Sequence, residues 1–240
     1  ITYSIAGADA ALFDINATTG AITFKSSPNY EAPGDAGGDN VYDVIVSATD
    51  GVNVTTNAVA ITVTNVNEAP TVTSAATANF AENRSGTVYT AAATDPDAGA
   101  TLTYSISGAD AALFNINATT GAVTFKSSPN YEAPGDAGGN NIYDVNVTAS
   151  DGANSATKAV AITVTNVNEA PTGVALTGDH IAERAANGTT VGTLGATDAD
   201  ASTTITYSLV AGAGGDDNGS FTISGTSLLT AAVFDYETRS

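Results

Sequence analysis

Residues 1–70 recur as residues 102–171 at a constant offset of 101, and four in five of the paired positions are identical. The run ITVTNVNEAP stands unchanged at 61–70 and 162–171. A third, diverged copy starts near Thr172. A period of about 100 residues is too long for a solenoid unit and has the length of a whole domain, so the chain must fold as a tandem array. The repeat frame sets boundaries at 1–68, 69–169 and 170–240, the first copy being entered mid-repeat and the third left mid-repeat. The chain therefore reads as a piece of a longer protein, with any signal or anchor lying outside it.

The complete copy reads as seven short strands. Residues 87–93 form a candidate strand before the acidic turn at 94–99. Leu102, Tyr104 and Ile106 alternate with Thr103 and Ser105, the period of a half-buried strand. Phe114 and Ile116, then Val123 and Phe125, flank a turn ending in Gly121 and read as a hairpin. Tyr143, Val145, Val147 and Ala149 alternate with polar residues, as do Val160, Ile162 and Val164. The first strand of a copy is expected within 71–80, and within 171–181 in the third copy. No segment carries helical apolar spacing over three turns. The expectation is all-β: seven-strand Greek-key sandwiches of immunoglobulin-like type, arranged end to end. The absence of Cys and Trp argues against a true antibody-type domain.

Net charge is −19 with only six Lys and Arg, which argues against nucleic acid and acidic membrane surfaces as partners and in favour of divalent cations or basic surfaces. No apolar run approaches the ~20 residues of a membrane span. His180 is the sole histidine, so no Ser-His-Asp set stands out, and the paired carboxylates fall in turns, not across a cleft. No catalytic residues are expected, and His180 reads as a surface residue.

The linker Asn67-Glu68-Ala69-Pro70 is too short for a flexible tether, and Pro70 stiffens it further. Carboxylates gather around it. Glu31 precedes it, Asn65, Asn67 and Glu68 lie within it, and Asp95, Asp97 and Asp151 follow in turns able to share the linker end of a sandwich. Five carboxylates in one small volume repel each other, and a hard cation relieves that repulsion best. Ca2+ takes six to eight oxygens from carboxylates, amides and carbonyls, and no thiol is present for a softer metal.

These residues resemble the calcium motifs of cadherin repeats, in the tandem form found in large bacterial surface proteins. The resemblance covers the whole chain and rests on the joint order of five motifs. It implies that the base Glu of the family is Glu82 in FAEN and Glu183 in IAER. Its Asp-x-Glu falls on Glu31 and Glu132 in NYE, and on Asp235 with Glu237 in DYE. Its linker ligands become Asn65, Asn67 and Glu68, then Asn166, Asn168 and Glu169. Its Asp-x-Asp is Asp95 with Asp97 and Asp198 with Asp200, and its last motif holds Asp50 and Asp151. The linker is one residue shorter than the vertebrate pattern, Asn65 and Asn166 stand where Asp is usual, and Asn29 and Asn130 replace the first Asp of Asp-x-Glu. Fewer charges imply one to three ions per junction.

On this reading Glu31, Glu68, Asp95, Asp97 and Asp151 serve one junction, and Glu82, Glu132, Glu169, Asp198 and Asp200 the next. Asp50 serves one upstream, and Asp235 with Glu237 one downstream, without partners within this chain. The function implied is a calcium-rigidified stalk of a secreted or cell-surface protein, for adhesion, cohesion or spacing, with copies of itself or a cell-surface ligand as partners. Alternatives are a subunit of an extracellular filament or sheath, and a spacer in a secreted enzyme. The loops at 32–40 and 133–141 read as solvated, with Asp35 and Asp136 as alternative further ligands; Asp39 becomes Asn140 in the second copy. The Gly-rich stretch 212–219 reads as an enlarged turn.

Overall fold

The computed structural model describes residues 1–201 and 203–237. In the first repeat the strands are β1 (Thr2–Ala6), β2 (Phe13–Ile15), β3 (Ile22–Phe24), β4 (Val41–Thr49) and β5 (Val54–Thr62). The second holds β6 (Thr71–Val72), β7 (Thr77–Ala81), β8 (Thr87–Thr90), β9 (Ala93–Thr94), β10 (Thr103–Ser107), β11 (Phe114–Ile116), β12 (Ala122–Phe125), β13 (Ile142–Ser150) and β14 (Ser155–Thr165). The third holds β15 (Thr172–Thr177), β16 (Thr190–Thr197), β17 (Phe221–Ser224) and β18 (Ser227–Thr230). The only helical elements among the described residues are short 3-10 turns at Ala10–Leu12, Ala111–Leu113 and Asn218–Ser220.

The second repeat is an immunoglobulin-like sandwich. One sheet runs β10-β13-β14-β7 and the facing sheet β11-β12-β8. The two first strands expected as continuous are each broken: β6 pairs with β9, while β7 lies on the edge of the larger sheet and β8 on the edge of the smaller one. Alternation places Tyr143, Val145, Val147 and Ala149 inward at 3% exposure or less, facing Phe114 and Val123, while their polar neighbours point out. In the β11–β12 hairpin Phe114 pairs with Phe125, and Gly121 takes φ 69°, with the carbonyl of Ala91 directly over its Cα. The first repeat copies the arrangement: β1-β4-β5 in one sheet and β2-β3 in another, around Phe13, Tyr42 and Val44. The Phe24 ring lies tilted against Phe13 at 4.3 Å and meets Tyr42 edge-on at 5.1 Å.

The chain packs as two compact units that do not follow the repeat frame. One comprises Ile1–Ala78, Ser85–Ser127 and Tyr143–Ile162; the other comprises Asn79–Arg84, Ser128–Ile142 and the chain from Thr163 onward. In the second unit β15-β16-β18-β17 form one antiparallel sheet. The Gly-rich stretch is a series of turns, as its composition predicts. His180 is exposed, with its ring against the carboxylate of the neighbouring Asp179.

Candidate metal centre

Among the described residues three carboxylate clusters occur, one in the first unit and two in the second. In the first, oxygens of Glu31, Glu68 and Asp97 all lie within 4.8 Å of one another. The linker is held against the turn that follows β9. The Glu68 amide donates to Asp97 Oδ2 at 3.0 Å, and Asn65 Nδ2 donates to Asp97 Oδ1 at 2.6 Å. Asp95 Oδ1 accepts the Asp97 amide at 3.0 Å, closing that turn on itself. Asn67 Nδ2 reaches Asp151 Oδ2 at 2.8 Å, and Asn154 Nδ2 returns to the Asn67 carbonyl at 2.8 Å. Asp95 and Asp151 thus border the cluster and anchor it without belonging to the triad.

The second cluster keeps the bond from linker amide to acidic turn and differs in its members. Glu82, Glu132 and Glu169 converge within the same 4.8 Å. The Glu169 amide donates to Asp200 Oδ2 at 2.7 Å, Asp198 Oδ1 accepts the Asp200 amide at 2.9 Å, and Asn166 Nδ2 donates to Glu132 Oε1 at 3.1 Å. Asn168 Nδ2 folds back onto the Glu169 carbonyl at 2.9 Å. Glu82 is 1% exposed and accepts two amides, Val167 at 2.8 Å on Oε1 and Tyr131 at 2.7 Å on Oε2. Asn83, which the reading of single carboxylates passed over, donates to Glu169 Oε1 at 2.6 Å from left-handed backbone at φ 57°. Its place beside Glu82 in FAEN was the available clue.

The third cluster corrects one expectation. Asp235 and Glu237 are not without partners: Glu183 lies with them within 4.8 Å, and the Tyr236 amide sits 3.4 Å from Glu183 Oε2. The DYE turn and the IAER stretch belong to the same repeat, so this part of a site assembles within one copy. Glu183 is exposed where Glu82 is buried. Asp50 stands apart; its Oδ1 accepts the amides of Val52 and Asn53 at 2.9 and 2.7 Å.

In the first two clusters burial, and after it neighbouring negative charge, raises three glutamates. Glu68 is pushed up by burial first, then by Glu31 and Asp97. Burial raises Glu169 too, followed by Glu82 and Glu132. Glu132 is raised by burial and, more weakly, by Glu82. Asp151 is lowered by the Asn154 amide and then by the Asn67 side chain, and Asp50 by the Asn53 and Val52 amides.

The donor set fits a hard divalent cation. Glu68 Oε2 and Asp95 Oδ2 at one cluster, and Glu132 Oε2, Glu169 Oε2 and Asp198 Oδ2 at the other, are buried atoms with no hydrogen-bond donor among the described residues. A buried carboxylate oxygen without a donor is costly, and a cation is the partner that such an oxygen suits. Two oxygens sharing one calcium at 2.3–2.6 Å are at most about 5 Å apart, which the triads satisfy. The amides of Asn65, Asn67, Asn83 and Asn166 now turn nitrogen toward carboxylates. A half-turn of the amide presents oxygen to the same place.

Comparison with known proteins follows the same lines. The family pattern described as Cadherin domain matches residues 76–166. Mouse Protocadherin Fat 4 is 33% identical over 174 residues, which is 68% of this chain and 3% of that protein. The chain thus spans a small fraction of the relative it resembles. Human CDH23 EC21-23 superposes with a TM-score of 0.68 at 21% identity, covering 98% of this chain and 80% of that one. The extracellular cadherin domains 1-4 of Protocadherin Gamma B7 give 0.63 at 21% identity, over 99% and 60%. At these identities the structural likeness speaks for the fold: tandem cadherin-like β-sandwiches.

Proposed function

We propose that this chain, whose residues 76–166 form a cadherin-like repeat, is part of an extracellular stalk in which Ca2+ stiffens the junctions between successive β-sandwiches, for cell adhesion, cohesion or spacing. The observation that carries the reading is the set of buried carboxylate oxygens without donors at Glu68, Asp95, Glu132, Glu169 and Asp198. Glu31, Glu68, Asp95, Asp97 and Asp151, with Asn65 and Asn67, would hold ions at the first junction. Glu82, Glu132, Glu169, Asp198 and Asp200, with Asn166 and Asn168, would hold them at the second. Glu183, Asp235 and Glu237 offer part of a third, and Asp50 part of one upstream. The Asn substitutions favour one to three ions per junction.

A bound ion supplies positive charge where the chain has gathered negative charge. The residues themselves do the rest. Asp97 and Asp200 fix the linker amides of Glu68 and Glu169, and Asn67 ties the linker to Asp151. Removal of cations leaves Glu31, Glu68 and Asp97 in mutual repulsion, which loosens the junction. Repeat boundaries at 68/69 and 169/170 belong to this proposal. So do a secreted or cell-surface setting, a bacterial surface protein as the larger molecule, and copies of the chain or a cell-surface ligand as partners. Small-angle X-ray scattering with calcium titrated in and then chelated tests it. Lengthening and stiffening on calcium uptake is expected; an unchanged scattering profile would overturn it.

A further inference from the structure

The loop between Glu31 and β4 is mostly exposed, as its composition suggests, but it is pinned by two buried residues, Asp35 and Asn40. Asp35 is 7% exposed and accepts the Asp39 amide on Oδ2 at 3.0 Å and the Asn40 amide on Oδ1 at 3.1 Å. Asp9, 3% exposed, reaches across from the turn after β1 and accepts the amides of Ala36 at 2.7 Å and Asp43 at 2.6 Å. The Tyr42 hydroxyl accepts the Gly34 amide at 3.2 Å. Asn40, so anchored, donates Nδ2 to the carbonyl of Tyr30 at 2.9 Å, the residue immediately before Glu31. The second repeat reproduces the chain of bonds. Asp136 accepts the Asn140 and Asn141 amides at 3.0 and 2.9 Å, and Asn141 Nδ2 donates to the Tyr131 carbonyl at 2.8 Å, just before Glu132. Both oxygens of Asp35 and of Asp136 are thus engaged by backbone amides.

Backbone conformation alone does not explain asparagine here. Asn40 and Asn141 sit at φ 64° and 62°, which glycine adopts at less cost, as Gly38 does at 68°. Asparagine also leaves Oδ1 buried with no donor among the described residues at both positions, a penalty glycine would avoid. What asparagine adds is the bond to the residue ahead of the glutamate.

We propose that Asn40 and Asn141 are positioning residues: locked by Asp35 and Asp136, they hold the backbone ahead of Glu31 and Glu132 so that each glutamate stands in its cluster before a cation arrives. This rests on the cation reading of the clusters. Every bond in the lock forms between groups of the chain itself, so the ordering of a loop of about ten residues is not charged to ion binding.

The test is the double substitution Asn40→Gly with Asn141→Gly in the full chain, which keeps the left-handed backbone and removes only the tie. By calorimetric titration, calcium Kd is expected to rise roughly tenfold, the scale of one side-chain ordering cost per site. Amide exchange by NMR, in chelator, gives the second readout. NMR is needed because residues 25–38 and 126–139 are identical in sequence and give indistinguishable peptides. The Glu31, Ala32 and Tyr131 amides should be protected in the original chain and should exchange faster in the variant. An unchanged Kd, or free-peptide exchange at these amides in the original chain, overturns the proposal. Should the original chain take up no calcium, the cation reading falls, and the exchange result still decides the lock.

Discussion

Replacing Glu82 by alanine strips the acceptors from two amides at once, those of Tyr131 and Val167. A buried donor left unsatisfied costs about 1–3 kcal/mol, so Glu82→Ala should lose about 2–6 kcal/mol, nearer the lower end if water fills the vacated space. Glu82→Gln keeps one acceptor oxygen and should lose about half as much. Both substitutions remove the same charge from beside Glu132 and Glu169, so relief of repulsion cancels when the two variants are compared. Glu183→Ala, at the corresponding but exposed position with one amide at 3.4 Å, should cost less than about 0.5 kcal/mol. Differential scanning calorimetry in chelator resolves this, because about 1 kcal/mol moves the midpoint of a domain of 60–100 residues by roughly 4–8 °C. Glu82→Gln should melt clearly above Glu82→Ala. Equal midpoints for Glu82→Ala and Glu82→Gln would refute the assignment of Glu82 as a structural acceptor as well as a candidate ligand.

Asp97→Asn should reduce the number of calcium ions taken up in calorimetric titration, whereas Asp50→Asn, remote from both complete clusters, should leave it unchanged; equal loss in both would dissolve the distinction between them. In chelator the raised carboxyls of Glu68, Glu132 and Glu169 bind a proton more tightly folded than unfolded, so stability climbs as pH falls through their folded values toward 4.5. Asp35, Asp136, Asp50 and Asp151 are lowered, and the stability they contribute above 3.8 is lost as pH falls through their folded values. The metal-free melting temperature, followed by circular dichroism, should therefore peak in mild acid; a steady fall from neutral pH downward would contradict this. Gly121→Ala drives a methyl toward the Ala91 carbonyl, whereas Gly20→Ala meets only the Tyr3 ring at 3.3 Å. The first should be worse by about 1–3 kcal/mol in urea melts, and parity would argue against that close approach.

Much of the sandwich was legible because strand periodicity is local. Tyr143, Val145, Val147 and Ala149 alternate in sequence and are all buried on one face. Gly121 announced its turn for the same reason. The clusters were legible through five short motifs in fixed order, although none of the motifs alone says which oxygens meet. What escaped was tertiary. Nothing near Asp9 in sequence points to Ala36, 27 residues away, or to Asp43, 34 away. A loop rich in Gly, Asp and Asn gives no local sign that Asp35 is buried and holds the amides of Asp39 and Asn40. The break between β6 and β7 was hidden too, since Thr, Ala and Ser suit either a strand or a bend.

The pairing of β4 with β5 carries a cost that appears before the native state is reached. Val44 opposes Val59 and Tyr42 opposes Ile61, and the second repeat carries the same four residue types as Val145, Val160, Tyr143 and Ile162. A collapsing chain meets two nearly interchangeable partners for each of these strands, about a hundred residues apart. Strand exchange between neighbours is thus a built-in hazard of refolding. Order of emergence resolves it: β4 and β5 are joined by a short turn and can close their hairpin before β13 is made. Dilution from denaturant, which presents all copies at once, should give slower and less complete recovery than synthesis from one end.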